Sequence, residues 1–339
     1  MKKQDITNIK TLLQSPKKIV IVPHKNPDGD AIGSTLGLYF YLLKYKHQVR
    51  VIAPNDYPEF LKWMPSEDTV LKYDMQTEES ENLINAAEII FTLDFNALNR
   101  TGDMETILEK SEAVKIMIDH HQQPDDYALY TYSDVSMSST CEMVYNFIAM
   151  LNDVDKIDAN IATCLYTGIM TDTGSFRFSS TTSTTHKVIA DLIDKGAEND
   201  KIHNAVHDTN SYNRLQLLGC ALSNLKVLPE YRTAYITLTQ EELNRFDFKK
   251  GDTEGFVNYA LSLENIIFAA IFIEDHKQNI IKISLRSKGD FSVNEFSRAH
   301  FSGGGHTNAA GGKSDSDLNK TVENFISILP SYKKALNNE

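Results

Sequence analysis

Residues 18–43 read KIVIVPHKNPDGDAIGSTLGLYFYLL, and the order of their parts decides the fold class. Lys18 to Pro23 is a short β-branched run closed by a proline, which predicts a strand. From Ala31 to Lys46 the apolar residues Ile32, Leu36, Tyr39, Phe40 and Leu43 recur at helical spacing. Working outward, Gln48–Pro54 (QVRVIAP), Ala87–Leu93 (AEIIFTL) and Ala113–Ile118 (AVKIMI) predict three further strands, and amphipathic stretches at 139–151 and 158–171 predict helices. Short apolar strands separated by helices imply βαβ units. The first half is therefore expected to be an open α/β domain, with a mostly parallel sheet and helices on both faces.

The polar residues with chemical potential lie just past the ends of these strands. His24, Asp28 and Asp30 follow the first, Asp94 ends the third, Asp119, His120 and His121 end the fourth, and Asp172 follows a predicted helix. Ligands of open α/β sheets bind in the crevice outside the carboxyl ends of the strands, so one site can collect residues distant in sequence. A single Asp after a strand is ordinarily a helix N-cap or turn residue; the joint pattern argues for more. Asp28, Asp30, Asp94 and Asp172 with His24 and His120 form a mixed oxygen and nitrogen set suited to Mn, Fe or Co. Two like charges ~4 Å apart repel by ~4 kcal/mol at an effective dielectric of ~20, so four converging carboxylates call for about two dications. Two metals sharing one Asp would activate a water and clamp a phosphoryl group, which implies phosphoester hydrolysis.

Charge limits the substrate. The chain has 339 residues, with 34 Lys and Arg against 46 Asp and Glu, a formal net charge of -12. That is the wrong sign for holding long nucleic acid through phosphate neutralisation. The surplus is uneven: residues 215–339 carry 14 basic and 15 acidic side chains, so nearly all of it lies before them. The longest apolar run, Ile266–Ile273, falls well short of the ~18 residues of a membrane helix. Cys141, Cys164 and Cys220 are widely spaced, with no CxxC pair, which argues against disulfides and structural zinc and makes a reducing cytoplasm the expected address.

PHKNPDGDAIGS (Pro23–Ser34), LDFNALNRTG (Leu93–Gly102), IDHHQQPD (Ile118–Asp125) and YTGIMTDTGSFRF (Tyr166–Phe178) resemble the four successive motifs of the DHH phosphoesterases. SLRSKGDFSVNEFSRAHFSGGGHTNAAGG (Ser284–Gly312) resembles the substrate-binding DHHA1 module that accompanies many of them, including its GGGH. The pairing most resembles the nano-RNase and pAp phosphatase type, which degrades very short oligoribonucleotides and dephosphorylates 3'-phosphoadenosine 5'-phosphate (pAp). The resemblance implies that His24, Asp28 and Asp94 hold one metal and that Asp30, Asp94, His120 and Asp172 hold the other, with manganese first among the candidates. Asp94 would bridge. It also implies that Asp119 orients a ligand histidine, that His121 contacts the scissile phosphate or helps the departing oxygen gain a proton, and that Arg100 pairs with a phosphate.

The expected organisation is a catalytic metal-binding domain over 1–195, a connector over 196–222 and a smaller α/β substrate domain over 223–339, with the active site in the cleft between them. In the last, Thr233–Leu238, Ile266–Ile273 and Ile280–Leu285 predict strands, and 254–263, 292–300 and 318–329 helices. Gly303, Gly304 and Gly305 could form a phosphate-binding backbone nest, with His306 as a side-chain donor and Arg286 on a strand end nearby. Expected substrates are short single-stranded RNA, dinucleotides and pAp, with no long duplex and no membrane; a homodimer is compatible with this. Rival readings are a linear or cyclic dinucleotide (pApA-type) phosphodiesterase, a RecJ-like exonuclease, a manganese pyrophosphatase and an inactive binding module. The last would be expected to have lost a metal ligand, and none is missing.

Overall fold

In a computed structural model, which describes residues 1–337, the chain divides into two compact units, one from Met1 to Thr209 and one from Asn210 onward. The first begins with helix α1 (Lys3–Leu12). It then places strands β1 (Lys18–Val22), β2 (Gln48–Ala53), β3 (Leu71–Lys72), β4 (Ile89–Leu93), β5 (Val114–Asp119) and β6 (Tyr130–Ser133) in one sheet of order β3-β2-β1-β4-β5-β6. Every pairing in it is parallel. The remaining helices are α2 (Gly29–Leu43), α3 (Thr77–Ala86), α4 (Glu105–Lys110), α5 (Thr140–Met150), α6 (Ala159–Asp172), α7 (Ser183–Asp194) and α8 (Asn199–His207).

The central strands β1 and β4 are buried on both faces, which is why they read as nearly unbroken apolar runs. Ile19, Ile21, Phe91, Ile116 and Ile118 pack on the side of α2, α5 and α6 with Ile32, Leu36, Val144, Phe147, Ile161 and Leu165. Val20, Val22 and Ile90 point the other way, into a cluster with Ile84 and Leu108 of α3 and α4. Helix α2 starts earlier than its periodicity predicts because Asp28 caps it, its Oδ1 accepting from the N–H groups of Asp30 and Ala31 at 3.1 Å. The close approach of α2 to α6 is set by glycine: a Cβ on Gly33 would lie 2.6 Å from the carbonyl oxygen of Cys164.

The second unit contains α9 (Tyr212–Ser223), β7 (Lys226–Leu228), β8 (Thr233–Leu238), α10 (Gln240–Arg245), α11 (Phe256–Leu261), β9 (Phe268–Asp275), β10 (Ile280–Ser287), α12 (Val293–His300), β11 (Gly304–His306), β12 (Ala309–Ser314) and α13 (Leu318–Asn337). Its sheet, β11-β12-β10-β9-β8-β7, is antiparallel except for β8 with β9. Phe268 and Phe272 of β9 meet Phe296 and Phe325 of α12 and α13, while Ala269 and Ile271 face Leu217, Leu243 and Phe256 of α9, α10 and α11. The segment expected as a connector holds α8, which belongs to the first unit, and most of α9, which belongs to the second; the division falls between them. No helix among the described residues is long and apolar enough to cross a membrane.

Candidate metal centre

The strand order of the first unit reverses direction between β1 and β4, and at such a switch point the crossover connections leave in opposite directions and open a crevice. The residues after β1 and β4 meet there. His24 Nε2 lies 3.5 Å from Asp94 Oδ2 and 3.8 Å from Asp28 Oδ2. His120 Nε2, past the end of β5, lies 3.5 Å from Asp94 Oδ1, 3.5 Å from Asp172 Oδ2 at the end of α6, and 3.8 Å from Asp30 Oδ2 in the first turn of α2. Donor atoms of His24, Asp28 and Asp94 all lie within 4.8 Å of one another, as do those of Asp30, His120 and Asp172. Asp94 faces both groups with a different oxygen. Its backbone is left-handed, at φ 65°, which turns the chain sharply as it leaves β4.

The tautomers are set by the backbone. His24 Nδ1 lies 2.9 Å from the carbonyl of Lys25 and His120 Nδ1 lies 3.3 Å from that of Met137, so each Nδ1 carries the hydrogen and each Nε2 presents a lone pair to carboxylate oxygens. Two facing acceptors repel unless a cation or a proton sits between them. A proton there would relieve the repulsion, and the charges around the two histidines favour one. Burial would lower the pKa of His24, but Asp94 and the charge of Asp28 outweigh it and hold it above the ordinary value. His120 is likewise raised well above it, against burial, by Asp94, Asp172 and Asp30. Burial, then the charges of Asp94 and Asp172, push the Asp30 carboxyl well up, whereas His120 and His24 hold Asp94 well below the carboxylate range despite its burial.

This donor set fits two divalent cations. Gaps of 3.5–3.8 Å are long for hydrogen bonds. They are close to the ~3–3.5 Å between ligands that each sit ~2.1 Å from one ion. Asp119, fully buried, accepts from His121 Nδ1 at 2.7 Å through Oδ1, while its Oδ2 has no partner among the described residues. The histidine that Asp119 holds is His121, while Nδ1 of His120 lies against the Met137 carbonyl. Arg100, whose carbonyl accepts from the Lys25 N–H at 2.7 Å, is near enough that its charge opposes protonation of His24.

Residues 18–169 match the DHH family, N-terminal domain, and residues 232–335 match the DHHA1 domain. The chain is similar over nearly its whole length to a crystal structure of an exopolyphosphatase-related protein from Bacteroides fragilis, with 43% identity, a TM-score of 0.95 and coverage of 99% of this chain and 98% of that one. The chain belongs to the DHH family. It is also 29% identical to the bifunctional oligoribonuclease and PAP phosphatase NrnA of Thermus thermophilus, covering 92% of this chain and 89% of the relative. For the protein of the same name from Bacillus subtilis the identity is 28%, with 86% and 88% covered.

Other contacts to these carboxylates lie where sequence periodicity carries no signal. At the start of α5, the Thr140 hydroxyl donates to Asp94 Oδ1 at 3.0 Å, and the N–H groups of Thr140 and Cys141 donate to the two oxygens of Asp30 at 2.6 and 2.8 Å. The SST run before that helix is an N-terminus signature, but nothing in it foretells that carboxylates from β4 and α2 would dock there. In the DHHA1 unit, Arg286 lies on β10 and His306 ends β11. The glycines expected as an open nest are a hairpin: Gly304 and Gly305 pair with β12, the Gly305 N–H donates to Asn294 Oδ1, and the Gly303 N–H faces the Ser297 carbonyl. Glycine is required there by crowding, since a Cβ on Gly303 would lie 1.9 Å from the Gly311 carbonyl oxygen.

Proposed function

We propose that the protein is a manganese-dependent phosphoesterase of the cytoplasm that hydrolyses short oligoribonucleotides to nucleoside 5'-monophosphates and converts pAp to AMP and phosphate. The observation that carries this reading is the pair of donor sets that meet at Asp94 across the β1–β4 switch point. His24, Asp28 and Asp94 would hold one ion, and Asp30, Asp94, His120 and Asp172 the other. When bound, the ions supply a nucleophilic water and polarise the phosphoryl oxygens. His121, its ring held through Nδ1 by Asp119, would contact the scissile phosphate or pass a proton to the departing 3'-oxygen. Arg100 would pair with a phosphate, and Arg286, the Gly303–Gly305 hairpin and His306 would bind the nucleotide.

Both activities reduce to one bond. In pAp the 3'-phosphate leaves a 3'-oxygen, and in a dinucleotide the internal phosphate leaves the same atom, so one site serves both. The names of the Thermus and Bacillus relatives support this pairing. The test is a set of parallel assays in Mn(II) with pAp, pApA, RNA of graded length and pyrophosphate. Turnover of pAp and short RNA is expected. Turnover confined to pyrophosphate or to pApA would overturn the reading.

A further inference from the structure

The start of α5 does more than begin a helix. Thr140 is completely buried, and its hydroxyl donates to Asp94 Oδ1, the oxygen that also faces His120. Its own N–H donates to Asp30 Oδ2. One residue thus grips a carboxylate from β4 and one from α2. The grip is itself braced. Ser139 caps α5 by accepting from the Glu142 N–H, and the buried Glu142 carboxylate accepts from the hydroxyls of Ser138 and, at 3.0 Å, Thr185 of α7. The N-terminal N–H groups of a helix favour anionic partners, and those of Thr140 and Cys141 are directed at Asp30.

We propose that Thr140 is a positioning residue of the metal centre, fixing Asp94 and Asp30 relative to each other so that two ions can be held as a pair. The proposal rests on the two-metal reading of the site. Asp94 is buried, and the Thr140 hydroxyl donates to the same oxygen, Oδ1, that is turned toward His120. Groups that orient ligands in this way commonly change metal affinity ~10- to 100-fold when removed.

The experiment measures metal directly. Mn(II) binding to the full chain is followed by equilibrium dialysis and by electron paramagnetic resonance, which distinguishes isolated ions from a magnetically coupled pair. Thr140→Val removes the hydroxyl at nearly constant volume and keeps the N–H; Thr140→Ala removes it without a second methyl to pack; Thr140→Ser retains it. The first two are expected to bind the pair ~10- to 100-fold more weakly and to lose the coupled signal. Thr140→Ser should keep both. Val and Ala variants with wild-type affinity and a coupled pair would overturn the role of Thr140, as would a Ser variant as impaired as they are, since that points to packing. A wild type that takes up no ion pair would instead overturn the metal centre, and the proposal with it. Because no substrate is used, failure of the nucleotide reading leaves these outcomes distinct.

Discussion

Asp94 stands at the position where one residue serves two sets of ligands, with Oδ2 toward His24 and Oδ1 toward His120. Asp94→Ala should therefore abolish turnover of every substrate, to below a few per cent of wild type in saturating Mn(II), with circular dichroism unchanged; retained turnover would refute the shared-ligand reading. Asp119 acts one step away. Asp119→Asn replaces the acceptor of His121 Nδ1–H with an amide while leaving the ligands of both ions in place. It is expected to lower kcat ~10²-fold or more while bound metal stays at two ions per chain; loss of metal would mean that Asp119 is a ligand. Protons and metal compete for the same atoms. His24, His120 and Asp30 all have raised pKa values in the metal-free protein. A group with a raised folded-state pKa contributes stability that is complete below its unfolded value and is lost as pH rises through the folded one. Ions need the deprotonated forms. The difference in melting temperature between the Mn-loaded and metal-free protein should thus widen from about pH 6 to about pH 8; a difference that narrows would contradict the protonated state of the empty site.

At the scale of elements, the parts legible in sequence were those whose apolar residues are buried in a regular period. β1 and β4 are buried on both faces, β2 and β5 lie next to them, and α2 and α6 pack closely on each other, so each left a clear run. β3 and β6, at the edges, left none: one is Leu71–Lys72 and the other is the half-polar Tyr130–Ser133. The motif residues were legible because several chemical types recur at strand ends. Thr140 and the hairpin of β11 were not, because a helix start and a glycine run look alike whether they touch solvent or another segment. The α2–α6 packing offers a test. Gly33→Ala would place a Cβ 2.6 Å from the Cys164 carbonyl oxygen and 3.0 Å from Cys141 Sγ, and backbone cannot yield as a side-chain tip can. We expect a loss of ~1–3 kcal/mol in urea unfolding. Mn(II) binding should weaken as well, because α2 carries Asp30 and is capped by Asp28; a variant as stable as wild type would show that the helices can part without cost.

For the whole molecule, the relevant quantity is charge. A formal net of -12 becomes about -8 when two dications are added, so the metals reverse the sign of the field only close to themselves. A protein that gains affinity with each added nucleotide does so by neutralising successive phosphates and releasing their counterions, which requires a line of Lys and Arg. The second unit's share, 15 basic against 15 acidic side chains over 210–339, leaves no surplus to build one. On the proposed reading, affinity would come from a few local contacts: the two ions, Arg100, Arg286 and His306. Once these are filled, a further phosphate would find no surplus of basic side chains to pair with, and an added nucleotide would gain no binding. Catalytic efficiency in Mn(II) is therefore expected to peak for pAp and RNA of roughly two to five nucleotides, to fall for longer strands and to be negligible for duplex DNA. The salt dependence should be shallow, with a slope of log K against log salt set by only about two or three phosphates at ~0.7 each. A series of 5'-labelled oligoribonucleotides at two ionic strengths measures both. Efficiency that climbs steadily to about twenty nucleotides, with a slope that steepens alongside it, would require a phosphate track that this charge distribution does not supply, and would move the protein toward processive degradation of long strands.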